Sequence, residues 1–215
     1  MRKTVWYLLF IAFATSMSFV MCSNTNGKTE AETKEIKKTE EALAIKRLRA
    51  KADLAKAYCK EKGFNTQYCI LIDFSIHSGK NRFYVWDFAR DTIKYESLCC
   101  HGYGNKSTQS KPVFSNIEGS YCSSLGMYKI GVRSYSSWGI NTHYKMHGLE
   151  KTNNNAFKRI IVLHSHNPMP EEEIYPTHLP LGWSQGCPVI SNNTMRKVDA
   201  LLKDIKKPVL MWIYN

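Results

Sequence analysis

A chain of 215 residues, 43% hydrophobic and 22% charged, is long enough for one domain with a real core plus an extension, and its composition is that of a globular protein. The net charge of +12 suits an anionic setting such as anionic lipid or cell-wall polymer. No basic–aromatic alternation or other nucleic-acid signature accompanies that charge, so nucleic acid is set aside as a partner.

The chain opens with Arg2 and Lys3 ahead of an apolar run from Val5 to Ala14, then small and mixed residues to Cys22. A charged start and a short apolar core read as a secretory signal. Ala12-Phe13-Ala14 and Val20-Met21-Cys22 are the candidate cleavage sites, and Cys22 is a candidate lipoprotein cysteine with a bulky Met21 before it. Val5–Cys22 is also about long enough for an uncleaved anchor. Residues 1–22 are therefore read as a signal peptide or N-terminal anchor, with export to the periplasm or cell envelope and membrane attachment left open.

Residues 23–65 are read as a charged helical linker. Thr29–Lys62 is rich in Glu, Lys and Ala without Gly or Pro, and Ala42, Ile45, Leu48, Ala52 and Ala55 recur at helical spacing. Such a helix spaces the domain from the membrane or packs on its edge, and Gly63 stops it. From Tyr68 onward the pattern becomes strand-like. Strands are expected at Cys69–Phe74, Arg82–Asp87, Thr92–Cys100, Gly126–Val132, Gly139–His147, Arg159–His164 and Pro208–Tyr214, with Ser78–Asn81 as a turn. Two helices are expected, a short one at Asn154–Lys158 and a longer one at Asn193–Lys206 capped by Asn193 or Thr194. Residues 66–215 thus read as a mainly β (α+β) domain with one or two helices.

Seven cysteines leave two readings. In an exported protein some pair, and sequence proximity suggests Cys59 with Cys69 and Cys99 or Cys100 with Cys122. Alternatively all are reduced core residues.

Cys187 lies in Ser184-Gln185-Gly186-Cys187-Pro188, where the glycine permits a sharp turn and opens backbone N–H groups to a substrate carbonyl. The N–H of Cys187, with that of Gly186 or Gln185, is a candidate oxyanion hole. His164 closes the apolar run Ile160–Leu163, and a histidine is the usual base for a thiol. Its other ring nitrogen needs a partner, either the Ser165 hydroxyl or a backbone carbonyl. His164-x-His166 raises a rival, since two histidines two apart on a strand face the same way and, with Cys187 or His178, could complete a zinc site. No HExxH and no paired CxxC supports that rival, and neither metal nor cofactor is expected.

In order along the chain stand Asp73-Phe74-Ser75, Ser78-Gly79-Lys80, His101-Gly102, Phe114-Ser115-Asn116, Gly119-Ser120, Ser123-Ser124-Leu125-Gly126, Gly148-Leu149-Glu150, Asn153, Ala156, Arg159, Ile160–His164 and Ser184–Pro188. Over residues 66–214 this series resembles the YkuD-type L,D-transpeptidases, in the branch of murein L,D-transpeptidase catalytic domains. The resemblance implies a YkuD-like mixed β-sandwich. It implies Cys187 as nucleophile, His164 as its base, Ser165 as a residue orienting that base and Gly186 in the oxyanion loop. Ser184, Gln185, His101, Gly102, Arg159 and His166 are the candidate substrate-binding residues. The more familiar members carry histidine where this chain has Gln185, and often Arg or Asn where it has Pro188-Val189. His147 stands where this branch is expected to carry an acid.

The reaction implied is acyl transfer on peptidoglycan stem peptides. An L,D-peptide bond is cleaved through a Cys187 thioester, and an amine acceptor completes a cross-link. Water as acceptor makes the enzyme an L,D-carboxypeptidase. A non-catalytic wall-binding protein is a further alternative, and a metallohydrolase on His164 and His166 another.

Overall fold

The computed structural model describes residues 30–215. The signal or anchor reading of residues 1–22, Cys22 and the start of the linker lie outside the described residues. Among those described, no helix is long and apolar enough to cross a membrane.

Eight strands form one mixed sheet: β1 (Tyr68–Asp73), β2 (Phe83–Asp87), β3 (Thr92–Ser97), β4 (Gly126–Tyr135), β5 (Thr142–Gly148), β6 (Val162–Ser165), β7 (Val189–Ile190) and β8 (Leu210–Tyr214). Their order across the sheet is β3-β2-β1-β8-β4-β5-β6-β7. β1 pairs with β8, and β6 with β7, in parallel; the remaining pairs are antiparallel. The two edges meet where Cys100, just past β3, bridges Val189 of β7 and donates its N–H to the Val189 carbonyl at 2.9 Å. That bridge curls the sheet into a barrel-like sandwich and removes an open edge beside Cys187.

The alternation of side chains in β1 explains the two layers. Ile70 and Ile72 face the interior with Phe83, Val85, Tyr128, Met146, Leu163 and Met211. Cys69 and Leu71 face the other way, onto Leu48, Ala52, Ala55 and Cys59 of helix α1 (Glu30–Lys62). A strand buried on both faces reads as a continuous apolar run, as Cys-Ile-Leu-Ile does here. Residues Glu41–Asn215 form a compact unit that takes in about two thirds of α1, the helix the sequence reading assigned to the linker. Gly63 ends α1 at φ +72°, a conformation that suits glycine.

Helix α2 (Asn192–Leu202) drives Met195, Val198 and Leu202 into the main core. Its cap is Ser191 rather than Asn193 or Thr194: the Ser191 hydroxyl accepts the Thr194 N–H at 3.3 Å, while the Asn193 N–H goes to Glu171. The helix expected at Asn154–Lys158 is instead a run of hydrogen-bonded turns. Asparagine side chains compete there for the backbone: Asn153 Oδ1 accepts the Glu150 N–H, and Asn116 Oδ1 accepts that of Asn155. All six described cysteines are free thiols, five of them buried, which corrects the paired alternative. Cys59 and Cys69 lie in one apolar cluster, where burial raises both thiols, Cys59 to about 11.

Candidate active site

Cys187 and His164 line one cavity of about 470 Å³, together with His143, His166, Trp138 and Trp183. The sheet register brings them there. β6 and β7 run parallel with His164 opposite Val189, so Cys187, two residues before Val189, lies alongside Val162. Val162 confirms the neighbourhood by donating its N–H to Cys187 Sγ at 3.4 Å. Val162, His164 and His166 alternate along β6 and its extension and so face the same space. Cys187 and His164 thus line the same cavity from adjacent parallel strands, with the Cys187 sulfur against the Val162 N–H.

His164 is buried and its tautomer follows from its partner. Nδ1 lies 3.0 Å from the Ser165 carbonyl oxygen. A carbonyl only accepts, so Nδ1 carries the proton and Nε2 keeps its lone pair. The orienting group at position 165 is thus the carbonyl, while the Ser165 hydroxyl accepts the Ile140 N–H at 3.1 Å. Burial depresses the His164 pKa, partly offset by the Ser165 carbonyl and deepened by His166 and His143. Burial likewise raises the Cys187 thiol, opposed by the Val162 N–H and the Arg159 charge. Both shifts favour the uncharged forms, thiol and neutral imidazole.

The Gly186-Cys187 turn is braced from behind. Gly186 adopts φ +112°, and a Cβ there would stand 2.5 Å from the Cys122 carbonyl oxygen. The buried Ser184 hydroxyl accepts the Gly186 N–H at 3.0 Å and donates to the Cys187 carbonyl at 2.6 Å. Ser184 is thus a brace of the turn rather than a group on the cavity wall, and the Gly186 N–H expected for the oxyanion hole is already occupied. Arg159 also stands behind the turn. Its guanidinium donates to the Ser115 carbonyl at 3.0 Å, the Ser124 hydroxyl at 2.5 Å, the Ser120 hydroxyl at 3.3 Å and the Cys122 carbonyl at 2.6 Å. Ser123 completes the brace, accepting the Gly102 N–H at 3.0 Å and donating to the Gly186 carbonyl at 3.3 Å.

His101 and Gly102 are scaffold as well. His101 Nε2 pairs with the Thr108 carbonyl at 2.8 Å, leaving Nδ1 to accept from Arg82 at 3.0 Å. Arg82 is only 1% exposed, donates to the carbonyls of Cys99 and Ile76, and stacks over Phe74. Burial and that arginine push the His101 pKa down to about 4. Of the candidate binding residues, only Gln185 and His166 reach the cavity wall. His147 stacks on Phe157 and lines a separate groove with Lys129 and Lys206. The metal rival is not assembled: His178 stacks on His77 and bonds the Ser78 hydroxyl at 2.8 Å. Among the described residues no three His, Cys, Asp or Glu side chains are grouped to hold a metal.

Among the cavity residues to which sequence reasoning gave no role are His143, Trp138 and Trp183. His143 faces His164 across the β5–β6 ladder, a pairing between distant segments that no local motif announces. Ile160 also lines the cavity, at φ +56°, a strained conformation for a β-branched residue.

Residues 39–214 match the family described as L,D-transpeptidase catalytic domain. The chain belongs to that family. No curated protein matches the chain. Among solved structures, the helical cell shape determining protein Pgp2 of Campylobacter jejuni aligns at 15% identity and TM-score 0.44, covering 68% of this chain and 46% of its own. This chain therefore spans about half the length of that protein. The L,D-transpeptidase of Xylanimonas cellulosilytica aligns at 10% identity and TM-score 0.37, covering 74% of this chain and 68% of its own. Within the L,D-transpeptidase family, the ordered series from Asp73 to Pro188 takes on a structural sense. Ser115, Ser123, Ser124 and Arg159 form the brace behind the Gly186-Cys187 turn.

Proposed function

We propose that this chain is an exported cysteine acyltransferase acting on peptidoglycan stem peptides, with Cys187 as nucleophile and His164 as general base and acid. The observation that carries the reading is the shared cavity of Cys187 and His164, with His164 Nδ1 tied to the Ser165 carbonyl and Nε2 left basic. Family membership supplies the substrate class.

The steps follow from these groups. His164 Nε2 takes the thiol proton as Sγ bonds to the carbonyl carbon of an L,D-peptide bond. On this reading the Cys187 N–H, with that of Gln185, receives the developing oxyanion, because Ser184 already holds the Gly186 N–H. The C–N bond breaks, His164 returns the proton to the departing amine of the D-residue, and a thioester remains. An acceptor amine then attacks, His164 takes its proton, and the S–C bond breaks to restore the thiol. Water in place of the amine yields a carboxypeptidase.

Incubation of the chain with disaccharide-tetrapeptide fragments tests the reading, with C187A as control. Release of the terminal D-residue by the parent chain alone supports it; a dimer marks transpeptidation and a tripeptide carboxypeptidation. Equal release by both proteins overturns the role of Cys187.

A further inference from the structure

The cavity has an aromatic rim that the acyl-transfer steps do not use. His166 stands between two indoles, 5.4 Å from Trp138 and 5.5 Å from Trp183, each edge-on at 71°. Trp138 is nonetheless 56% exposed and its neighbour Tyr135 75% exposed. Large exposed aromatics beside a cavity mark a recognition surface.

The loop that presents Trp138 is held by hydrogen bonds. Ser136 Oγ accepts the Trp138 N–H at 3.1 Å, and Asn141 Nδ2 donates to the Ser136 carbonyl at 3.0 Å. Ile140 ties the loop to Ser165, next to the base. At Gly139 a Cβ would overlap Ser165, so loop and catalytic strand are in direct contact. The backbone around Trp138 is therefore tied to the strand that carries His164, while the indole stays open to solvent.

The lining carries no Lys, Arg, Asp or Glu, and burial keeps its three histidines toward the neutral form. Such a wall suits an uncharged occupant with an apolar face and hydroxyl or amide edges. A pyranose has that shape: its axial C–H groups lie flat on an aromatic ring while its substituents reach the polar side chains of Gln185 and Ser137.

We propose that Trp138, His166 and Trp183 form a subsite for a neutral amino-sugar ring of the glycan strand, adjoining the peptide-cleaving centre. This rests on the wall-peptide reading above for its substrate, but its test does not. The full chain is titrated with a peptide-free N-acetylglucosamine tetramer while the indole N–H resonances are followed by NMR. Saturable shifts of Trp138 and Trp183 are expected, with affinity about tenfold weaker in W138A and largely retained in W138F. The absence of a saturable shift at about 10 mM saccharide overturns the subsite, as does unchanged affinity in W138A. Shifts produced by a sugar-free stem peptide but not by the saccharide assign the rim to peptide and also overturn it. Sugar binding without release of a D-residue would instead remove the acyl-transfer reading and leave the subsite standing.

Discussion

Val162 donates its backbone N–H to the sulfur of Cys187 at 3.4 Å, from the strand beside the Gly186-Cys187 turn and two residues before His164 on the same face. That contact fixes the sulfur at the cavity wall and favours its thiolate without making the thiolate the resting form.

The pH dependence of Cys187 reactivity follows. Burial raises the thiol above its usual value near 9 and lowers His164 below 6.5. Between those limits both groups are neutral. Alkylation of Cys187 by iodoacetamide is expected to stay slow through neutral pH and to climb only at alkaline pH. A fast plateau between about pH 5 and 8 would instead reveal a resting thiolate–imidazolium pair.

Gly186→Ala is expected to cost at least about 2 kcal/mol and to abolish turnover, because φ +112° strains any side chain and the new methyl would meet the Cys122 carbonyl. Chemical denaturation alongside activity checks this. Stability within 0.5 kcal/mol of the parent, the rough scale of a neutral surface change, would contradict it.

Arg159 separates positioning from electrostatics. Arg159→Ala removes the donor to two carbonyls and two hydroxyls and is expected to lose about 2–4 kcal/mol. Arg159→Lys keeps the charge that lowers the Cys187 pKa but not the fork that spans Ser115 and Cys122. Lysine is therefore expected to restore less than half of the lost stability and activity. Full rescue would show that charge alone matters.

His101 gives the fold an acid-sensitive point. Its native pKa near 4 lies below the unfolded value of 6.5, so between these values the unfolded chain binds a proton that the native state refuses. Stability from this group is present above pH 6.5 and is lost as pH falls toward 4, by about 3 kcal/mol at most. Denaturant midpoints across that window are expected to fall less steeply in His101→Gln. Identical slopes would contradict the assignment.

Much of this architecture is legible in the residues. Seven strands announce themselves by apolar runs such as Cys69–Phe74, and the Ser-x-Gly-Cys turn and His164 are visible at once. What stays hidden is non-local. β7 has only two residues and exists because Cys100 and β6 flank it. His101 and Arg159 look like cleft residues because polar groups beside a motif invite that reading. Their partners, Arg82, Thr108 and the Ser115–Cys122 segment, become visible only once the sheet closes. Trp138 carries no motif at all.

If Cys187 carries the acyl group, intact-protein mass spectrometry of the chain quenched in acid during turnover of a stem tetrapeptide detects it. An added tripeptidyl mass on Cys187 is expected, absent from Cys187→Ala and much reduced in His164→Ala. Turnover without an adduct, or an adduct that persists in Cys187→Ala, would contradict it.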